Sequence, residues 1–293
     1  MEWSILRTTP FSFLDKRKAI FMKNLRCVIV GGSFAVIVGV AQAAGPTSTL
    51  YLTAGDQHHN FEVLASTTNA IVSSQVETAE GGEYAIAVSG GSIRTGGNGD
   101  YNTVPHQGST YSLNFAYVGP RLANVFNNVV DGTTDGAYNY GIDWQTHQVF
   151  RYNLDWSSPT YMFTAAAVID ISTGVSYDPF NMSLWVTDSN GSLDDYSLTG
   201  LLLSSFSTPG SLNRTLAFDP ADGTLWSMTG QETGVFNQYN TSGSLLQTIN
   251  IGSSDNIIGA EFAMSVPESS MVSLTGFGLL ALSLHRVITR KQT

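Results

Sequence analysis

Between Leu50 and Met264, apolar and aromatic residues alternate with polar ones in short runs cut by Gly, Asn-Gly, Asp-Gly and Ser-Gly. A period of two bounded by such turns predicts antiparallel strands. No stretch of this interval carries the three-to-four-residue spacing of an amphipathic helix. Two longer apolar runs stand apart near the ends of the chain, Val28 to Val40 and Met271 to Leu284.

The strand-rich middle repeats itself. Val175-Ser-Tyr-Asp-Pro-Phe-Asn-Met-Ser-Leu-Trp-Val-Thr realigns with Leu216-Ala-Phe-Asp-Pro-Ala-Asp-Gly-Thr-Leu-Trp-Ser-Met, so that Asp178 matches Asp219 and Trp185 matches Trp226, both 41 residues on. Asp195-Tyr196-Ser-Leu-Thr-Gly200 parallels Gln238-Tyr239-Asn-Thr-Ser-Gly243 at an offset of 43, and an apolar strand follows each. Fainter copies pair Tyr111-Ser-Leu-Asn with Tyr152-Asn-Leu-Asp, with Phe61-Glu-Val-Leu as a first member. About four strands in roughly 40–45 residues is the dimension of a propeller blade, and the interval holds about five such units. The predicted fold is all-β, a β-propeller-like ring of four-stranded antiparallel sheets, with a β-sandwich pair or a solenoid as the alternatives. Asp-Pro sets the turn after the innermost strand of a unit, and the Leu-Trp strand packs its ring between neighbouring sheets. A ring must also close its edges. The last apolar segment, Asn256 to Met264, has no unit after it, and pairing it with the Leu50 to Thr53 region completes the first sheet. The texture is similar, loosely and over 125–265, to NHL, YncE-like and lactonase propellers.

The termini read as addresses. Lys23 and Arg26 precede the first apolar run, and Ala41-Gln42-Ala43 follows it as an A-x-A cleavage site. This is the pattern of a secretory signal peptide spanning 22–43, an N-terminal signal helix handed to the Sec translocon and cut after Ala43. An uncleaved anchor is the alternative, but the run is short for a bilayer core of about 30 Å. Residues 1–21 read as an upstream extension. At the other end, Val266-Pro267-Glu268-Ser269 precedes the second apolar run, which ends in Arg286, Arg290 and Lys291. Apolar residues partition into lipid while cytoplasmic cations resist translocation, so 266–293 reads as a short transmembrane helix with a basic stop. An ordinary C-terminal anchor and a buried core helix are the other readings.

This tail resembles the PEP-CTERM sorting signal of Gram-negative bacteria that make exopolysaccharide. Ser269 stands where that signal has its second proline, and the basic residues are spread out. The resemblance implies recognition of Pro267 and Glu268 by an exosortase, removal of the tail near that point, and a cell-surface or matrix location after transient anchoring in the inner membrane.

Composition sharpens the reading of 44–265. Charged residues make up only 12% of the chain. Between Ala44 and Val266 lie 20 acidic residues against four basic ones, Arg94, Arg121, Arg151 and Arg214, a formal charge of −16. Such a field repels phosphate backbones, which disfavours nucleic acid as a partner. The one cysteine, Cys27, lies in the leader. The mature domain therefore has no structural disulfide and no thiolate metal site.

Candidate chemistry is sparse. His58 and His59 are neighbours and face opposite sides of a strand, so they cannot chelate one ion together. Asp56, Glu62 and His106 add no metal-binding spacing. Asp188, Asn190, Asp194 and Asp195 crowd oxygen ligands into one short segment and are the calcium candidates, although they do not follow the EF-hand pattern. Asp131-Gly132-Thr-Thr-Asp135-Gly136 and Asp219-Pro-Ala-Asp222-Gly223 read as turns in which Asp bonds its own backbone. Asp143, Asp178 and Asp219 invite comparison with the channel carboxylates of propeller hydrolases, but the repeat spacing of Asp178 and Asp219 marks a structural role. Tyr138, Tyr140, Trp144 and Trp156 are candidates for exposed rings that stack on sugars, with core packing as the alternative. No nucleophile elbow, P-loop or dinucleotide fingerprint is present. The sequence thus points to an exported, non-catalytic binding or scaffolding propeller without a cofactor in an exopolysaccharide setting. A secreted hydrolase or lyase acting on a carbohydrate or lactone is the alternative.

Overall fold

The computed structural model describes residues 49–54, 59–63, 71–76, 83–97, 108–119, 121–122, 128–166, 170–208, 213–230 and 232–264. All fall within the unit Gln42–Thr293. Ala41, Ala43, Val266, Pro267, Glu268 and Ser269 lie outside the described residues, as do both terminal apolar runs. Every regular element among the described residues is a strand.

In chain order, β1 (Leu50–Ala54), β2 (His59–Val63) and β3 (Ile71–Val76) begin the first sheet, and β4 (Glu83–Ser89), β5 (Ser92–Gly97) and β6 (Thr110–Ser112) form the second. The third contains β7 (Val129–Thr134), β8 (Asn139–Asp143), β9 (Gln148–Tyr152) and β10 (Thr160–Thr164). The fourth contains β11 (Ser172–Asp178), β12 (Ser183–Asp188), β13 (Ser192–Ser197) and β14 (Leu202–Ser207). The fifth contains β15 (Asn213–Asp219), β16 (Thr224–Thr229), β17 (Val235–Asn240) and β18 (Leu245–Asn250), and β19 (Ile257–Phe262) returns to the first. The described residues thus form four four-stranded blades and one three-stranded sheet. In that second sheet the outer position is taken by a segment that makes a single bridge, Tyr111 to Tyr117, supported by a hydrogen bond from Val118 N to Thr110 O at 3.0 Å.

Closure follows the sequence reading. Leu50 pairs with Phe262, Leu52 with Ala260 and Thr53 with Gly259, so the last strand completes the first sheet. The inner strands then run round the axis: β4 lies against β7, β7 against β11, β11 against β15, β15 against β19, and β19 against β4. Each junction has its own apolar core. Trp185 packs with Leu216, Phe218 and Tyr239 of the next blade, and Trp226 packs with Leu50, Leu52 and Phe262 of the first. Both tryptophans are essentially without solvent exposure, at 1% and 0%. A lone sheet cannot cover such rings, so each blade depends on its neighbour.

The repeat is preserved in register. Trp185 stands opposite Asp195, and Trp226 stands opposite Gln238. The change of offset from 41 to 43 arises in one place, because the turn between β16 and β17 is two residues longer than that between β12 and β13. Burial falls outward through the fourth blade, from the fully buried β12 to the largely exposed β14, and likewise through the fifth, from β16 to β18. Inner strands are covered on both faces while rim strands diverge, which is why polar–apolar alternation is weak along β11 and β12.

Candidate functional site

Four of the five inner strands converge on a buried carboxylate. Asp131 lies in the middle of β7, inside a strand, which corrects its reading as a turn residue. Its Oδ1 accepts from Gly132 N at 2.8 Å and from Ala260 N of β19 at 3.2 Å. Its Oδ2 accepts from Val175 N of β11 at 3.3 Å, Leu216 N of β15 at 3.2 Å and Thr215 Oγ1 at 3.1 Å. One side chain therefore ties four inner strands together. Burial pushes its carboxyl well above the ordinary carboxylate range, against the pull of four backbone N–H donors.

Glu261 of β19 is the second axial acid. Thr133 Oγ1 donates to its Oε1 at 2.9 Å, and the same Thr133 oxygen accepts from Tyr177 N at 2.9 Å. The Oε2 atom has no hydrogen-bond partner among the described residues. Burial raises this carboxyl strongly, and the neighbouring Asp131 raises it further. Ser176 Oγ accepts from Phe218 N at 2.8 Å and continues the same pattern, in which a polar side chain of one inner strand holds the backbone of the next. Asp131 is 0% exposed and Glu261 only 3%. A general acid must touch what it protonates, and these two are sealed from solvent.

At one end of this axis the ring opens into a small cleft of about 110 Å³. Its walls are the residues leading into the inner strands, namely Val130, Ile171 to Thr173, Arg214 and Asn256 to Ile258, together with Trp144 from the turn between β8 and β9. Trp144 is held from both sides: its N donates to Asn128 O at 3.1 Å, and its O accepts from Ser172 N at 3.1 Å. Ser172 Oγ lies 2.9 Å from His147 Nδ1. Arg214, Trp144, Asn256, Ser172, Thr173 and three isoleucines are among its lining residues, the Ser172 and Thr173 side chains being buried, and no carboxylate lines it among the described residues.

No family model and no curated protein matches this sequence. Solved structures do match it in shape. One is a chain of the crystal structure of a nidogen/laminin complex, at a TM-score of 0.51 and 11% identity, covering 74% of this chain and 99% of that one. Others are a protein of unknown function from Bacteroides caccae, at 0.42, 14% identity and coverage of 70% and 73%, and a chain of the mitotic checkpoint complex, at 0.43, 12% identity and coverage of 74% and 65%. The first likeness supports one conclusion. The fold is a β-propeller.

Most acids singled out in the sequence are turn-formers in this propeller. Asp143 Oδ1 accepts from Gln145 N and Thr146 N at 2.9 and 2.8 Å, Asp178 Oδ1 from Phe180 N at 2.8 Å, and Asp219 Oδ1 from Ala221 N at 2.9 Å. Asp143 caps the turn after a second strand, whereas Asp178 and Asp219 cap turns after inner strands, so the three do not converge. Asp135 likewise accepts from Ala137 N and Tyr138 N. The calcium candidates are not gathered either. Asp188 caps the turn between β12 and β13 through Asn190 N and Ser192 N at 3.0 and 2.9 Å, while Asp194 accepts from Ser192 Oγ at 3.0 Å and Ser205 Oγ at 2.5 Å. Asp195 follows Asp194 on a strand and points to the opposite face. Asp56, His58 and His106 lie outside the described residues, and His59 and Glu62 fall on β2.

The aromatic candidates divide. Tyr140 and Trp156 are core residues at 2% and 0% exposure, which corrects their reading as exposed rings. Tyr140 buries its ring between blades and donates its hydroxyl to Asp135 Oδ2 at 2.6 Å. Tyr138 lies 4.4 Å beneath the Arg151 guanidinium, a cation–π contact at the surface. Only Trp144 reaches the cleft. Sequence reasoning missed Asp131, Glu261 and Arg214 as axial residues. It also missed Glu83, whose buried carboxylate accepts from Thr95 Oγ1 at 2.9 Å, Ser109 Oγ at 2.5 Å and Tyr111 OH at 2.6 Å, with Arg121 at 3.6 Å. An acid set inside an apolar run, as in Ile257-Ile-Gly-Ala-Glu261-Phe262, was the available signal.

Proposed function

We propose that this propeller is a non-catalytic binding module, exported, sorted through its C-terminal tail by an exosortase and retained in an extracellular polysaccharide setting. One observation carries the binding half of the reading. The axial acids and the repeat aspartates are committed to holding strands and turns, while the concave end of the axis presents an indole, a guanidinium and neutral polar groups. Small-molecule sites place a few polar groups around an apolar wall. The export half rests on the A-x-A site, the Val-Pro-Glu-Ser motif and the flanking cations, and an acidic, lysine-free domain suits a hydrated polymer matrix.

A hydrolase or lyase is the second reading, favoured by the raised carboxyl of Glu261 on the axis. Its burial argues for a structural role. The purified full chain, mixed with exopolysaccharide from a producing culture and sedimented, separates the two. Binding without a change in polymer mass supports the module. Shortening of the polymer, or no retention at all, contradicts it.

A further inference from the structure

We infer that the end of the ring opposite the cleft is a membrane-docking face, which lies on a zwitterionic lipid surface while the C-terminal apolar run is inserted. This rests on the export and sorting reading above and adds to it a surface of the folded domain. Each inner strand runs away from the cleft, so the turns that follow the inner strands and the turns that precede the outermost strands share the far end. Exposed apolar side chains are segregated there. Phe180 and Met182, in the turn between β11 and β12, are each 67% exposed, and Tyr138, between β7 and β8, is 39% exposed. Among the described residues, every exposed large apolar side chain lies at this end or on the rim, and none lines the cleft. Such one-sided patches mark contact with a partner or a membrane.

The rim extends the same face. In β14 and β18 the pairing register slips at equivalent places, which makes Leu203 and Leu246 the extra residues of two bulges. Strict alternation would turn one leucine of each adjacent pair inward. Instead Leu202, Leu203, Leu245 and Leu246 are all between 43% and 56% exposed, and neither strand carries a charge. The occupant follows from where the chain leaves the ring. β19 ends at this far end, where Met264 N donates to Val88 O of β4 at 3.3 Å. The apolar run begins at Met271, seven positions on, so the tether is at most about 25 Å long. With that run in the bilayer, lipid is the apolar phase this face meets, and docking holds Pro267 and Glu268 at the membrane surface. Asp155 and Asp222 are exposed at the same end of a domain of formal charge −16, which disfavours both an anionic lipid and a second acidic copy.

Site-specific quenching tests this on the full chain carrying Cys27→Ser, reconstituted into phosphatidylcholine vesicles that include a lipid with a quencher on its upper acyl chain. A fluorescent label is attached through Ala221→Cys, in the turn between β15 and β16 at the far end, or through Thr146→Cys, in the turn between β8 and β9 at the cleft end. The label at 221 is quenched by the lipid and the label at 146 is not. Adding Leu202→Asp and Leu245→Asp together removes quenching at 221, because burial of apolar area in the interface drives docking. Both leucines are exposed, so the fold is retained, which thermal melting verifies, and the chain still floats with the vesicles through its tail. Replacing part of the lipid by phosphatidylglycerol weakens the quenching at 221. Equal quenching at the two positions, none at 221 in a chain that floats, or quenching unchanged by the two aspartates overturns the docking face alone. A chain that does not float with the vesicles overturns the anchoring reading and the docking face with it.

Discussion

The ring of Trp156 occupies the space where a side chain on Gly132 would stand. A Cβ built on Gly132 lies 2.5 Å from Trp156 Cη2, so the glycine of one inner strand is the complement of an indole placed just beyond β9. Trp156 follows Tyr152 by four residues, as Phe115 follows Tyr111, Gly200 follows Tyr196 and Gly243 follows Tyr239, and all four adopt positive φ. In the glycine blades the vacancy is filled by a rim aromatic of the preceding blade, Phe163 against Gly200 and Phe206 against Gly243. Beside the three-stranded sheet Trp156 supplies the bulk itself, and its Nε1 donates to Arg94 O of β5 at 3.4 Å.

Trp156→Ala therefore opens a cavity at the junction of the second and third sheets, with a cost of about 3–5 kcal/mol. Gly132→Ala costs about 1–3 kcal/mol by overpacking, and Trp156→Phe in the same chain relieves part of it. Urea unfolding of the two single variants and the double variant measures this coupling. Simple additivity contradicts the contact.

Two glycines with the same backbone angle separate strain from space. Gly200 and Gly136 have φ of +85° and +86°, but a Cβ at Gly200 meets Phe163 Cβ at 2.5 Å whereas one at Gly136 meets nothing within 4 Å. Alanine at Gly136 costs about 1 kcal/mol from left-handed backbone strain alone. Alanine at Gly200 adds a steric cost of about 1–3 kcal/mol. Equal melting temperatures for the two variants contradict the packing assigned to Phe163.

The axial acids set a pH dependence. A carboxyl pushed up on folding holds its proton more tightly in the native than in the unfolded chain. The stability it gives is full below the unfolded value of about 4 and is lost as pH rises through the native one. Asp131 and Glu261 are both shifted upward. Thermal stability is thus expected to fall on passing from mildly acidic to neutral and alkaline pH, and Glu261→Gln, which is neutral throughout, flattens that fall. A melting-temperature profile unchanged by Glu261→Gln contradicts it.

The ring and its closure were legible because they rest on local chemistry. Asp178-Pro and Asp219-Pro mark the ends of inner strands, Trp185 and Trp226 recur at a fixed interval, and Asn256 to Met264 had no unit of its own to join. The axial network was hidden for a geometric reason. Asp131 and Ala260 meet at 3.2 Å although 129 positions separate them, and no periodicity within one strand reports which backbone N–H groups a closed ring will aim at a carboxylate. The Asp131-Gly132 pair also imitates a turn, and only burial of β7 on both faces shows otherwise. Tyr140 and Trp156 read as surface rings for a similar cause: their immediate neighbours in sequence are polar or glycine, while part of what covers them, Val175 and Leu184 for Tyr140 and Ala85 and Ala87 for Trp156, comes from neighbouring sheets. The second sheet was faint because a single bridge at Tyr111 stands where a full outer strand would carry the pattern.

Closure by β19 makes the boundary of the domain testable. Ending the chain after Met264 leaves the cooperative melt in place. Ending it after Gly252 removes β19, exposes the edge of β1, deprives Asp131 of its Ala260 partner, and abolishes that melt. A folded, cooperative product from the shorter chain contradicts ring closure.

Mass spectrometry of the protein recovered from a producing Gram-negative culture bears most directly on the account as a whole. An exported, sorted ring predicts a polypeptide that begins at Ala44 and lacks the residues beyond the Pro267-Glu268 region, found outside the cell. A chain recovered from the cytoplasm with Met22 and Thr293 both still attached, and no processed form outside, contradicts it.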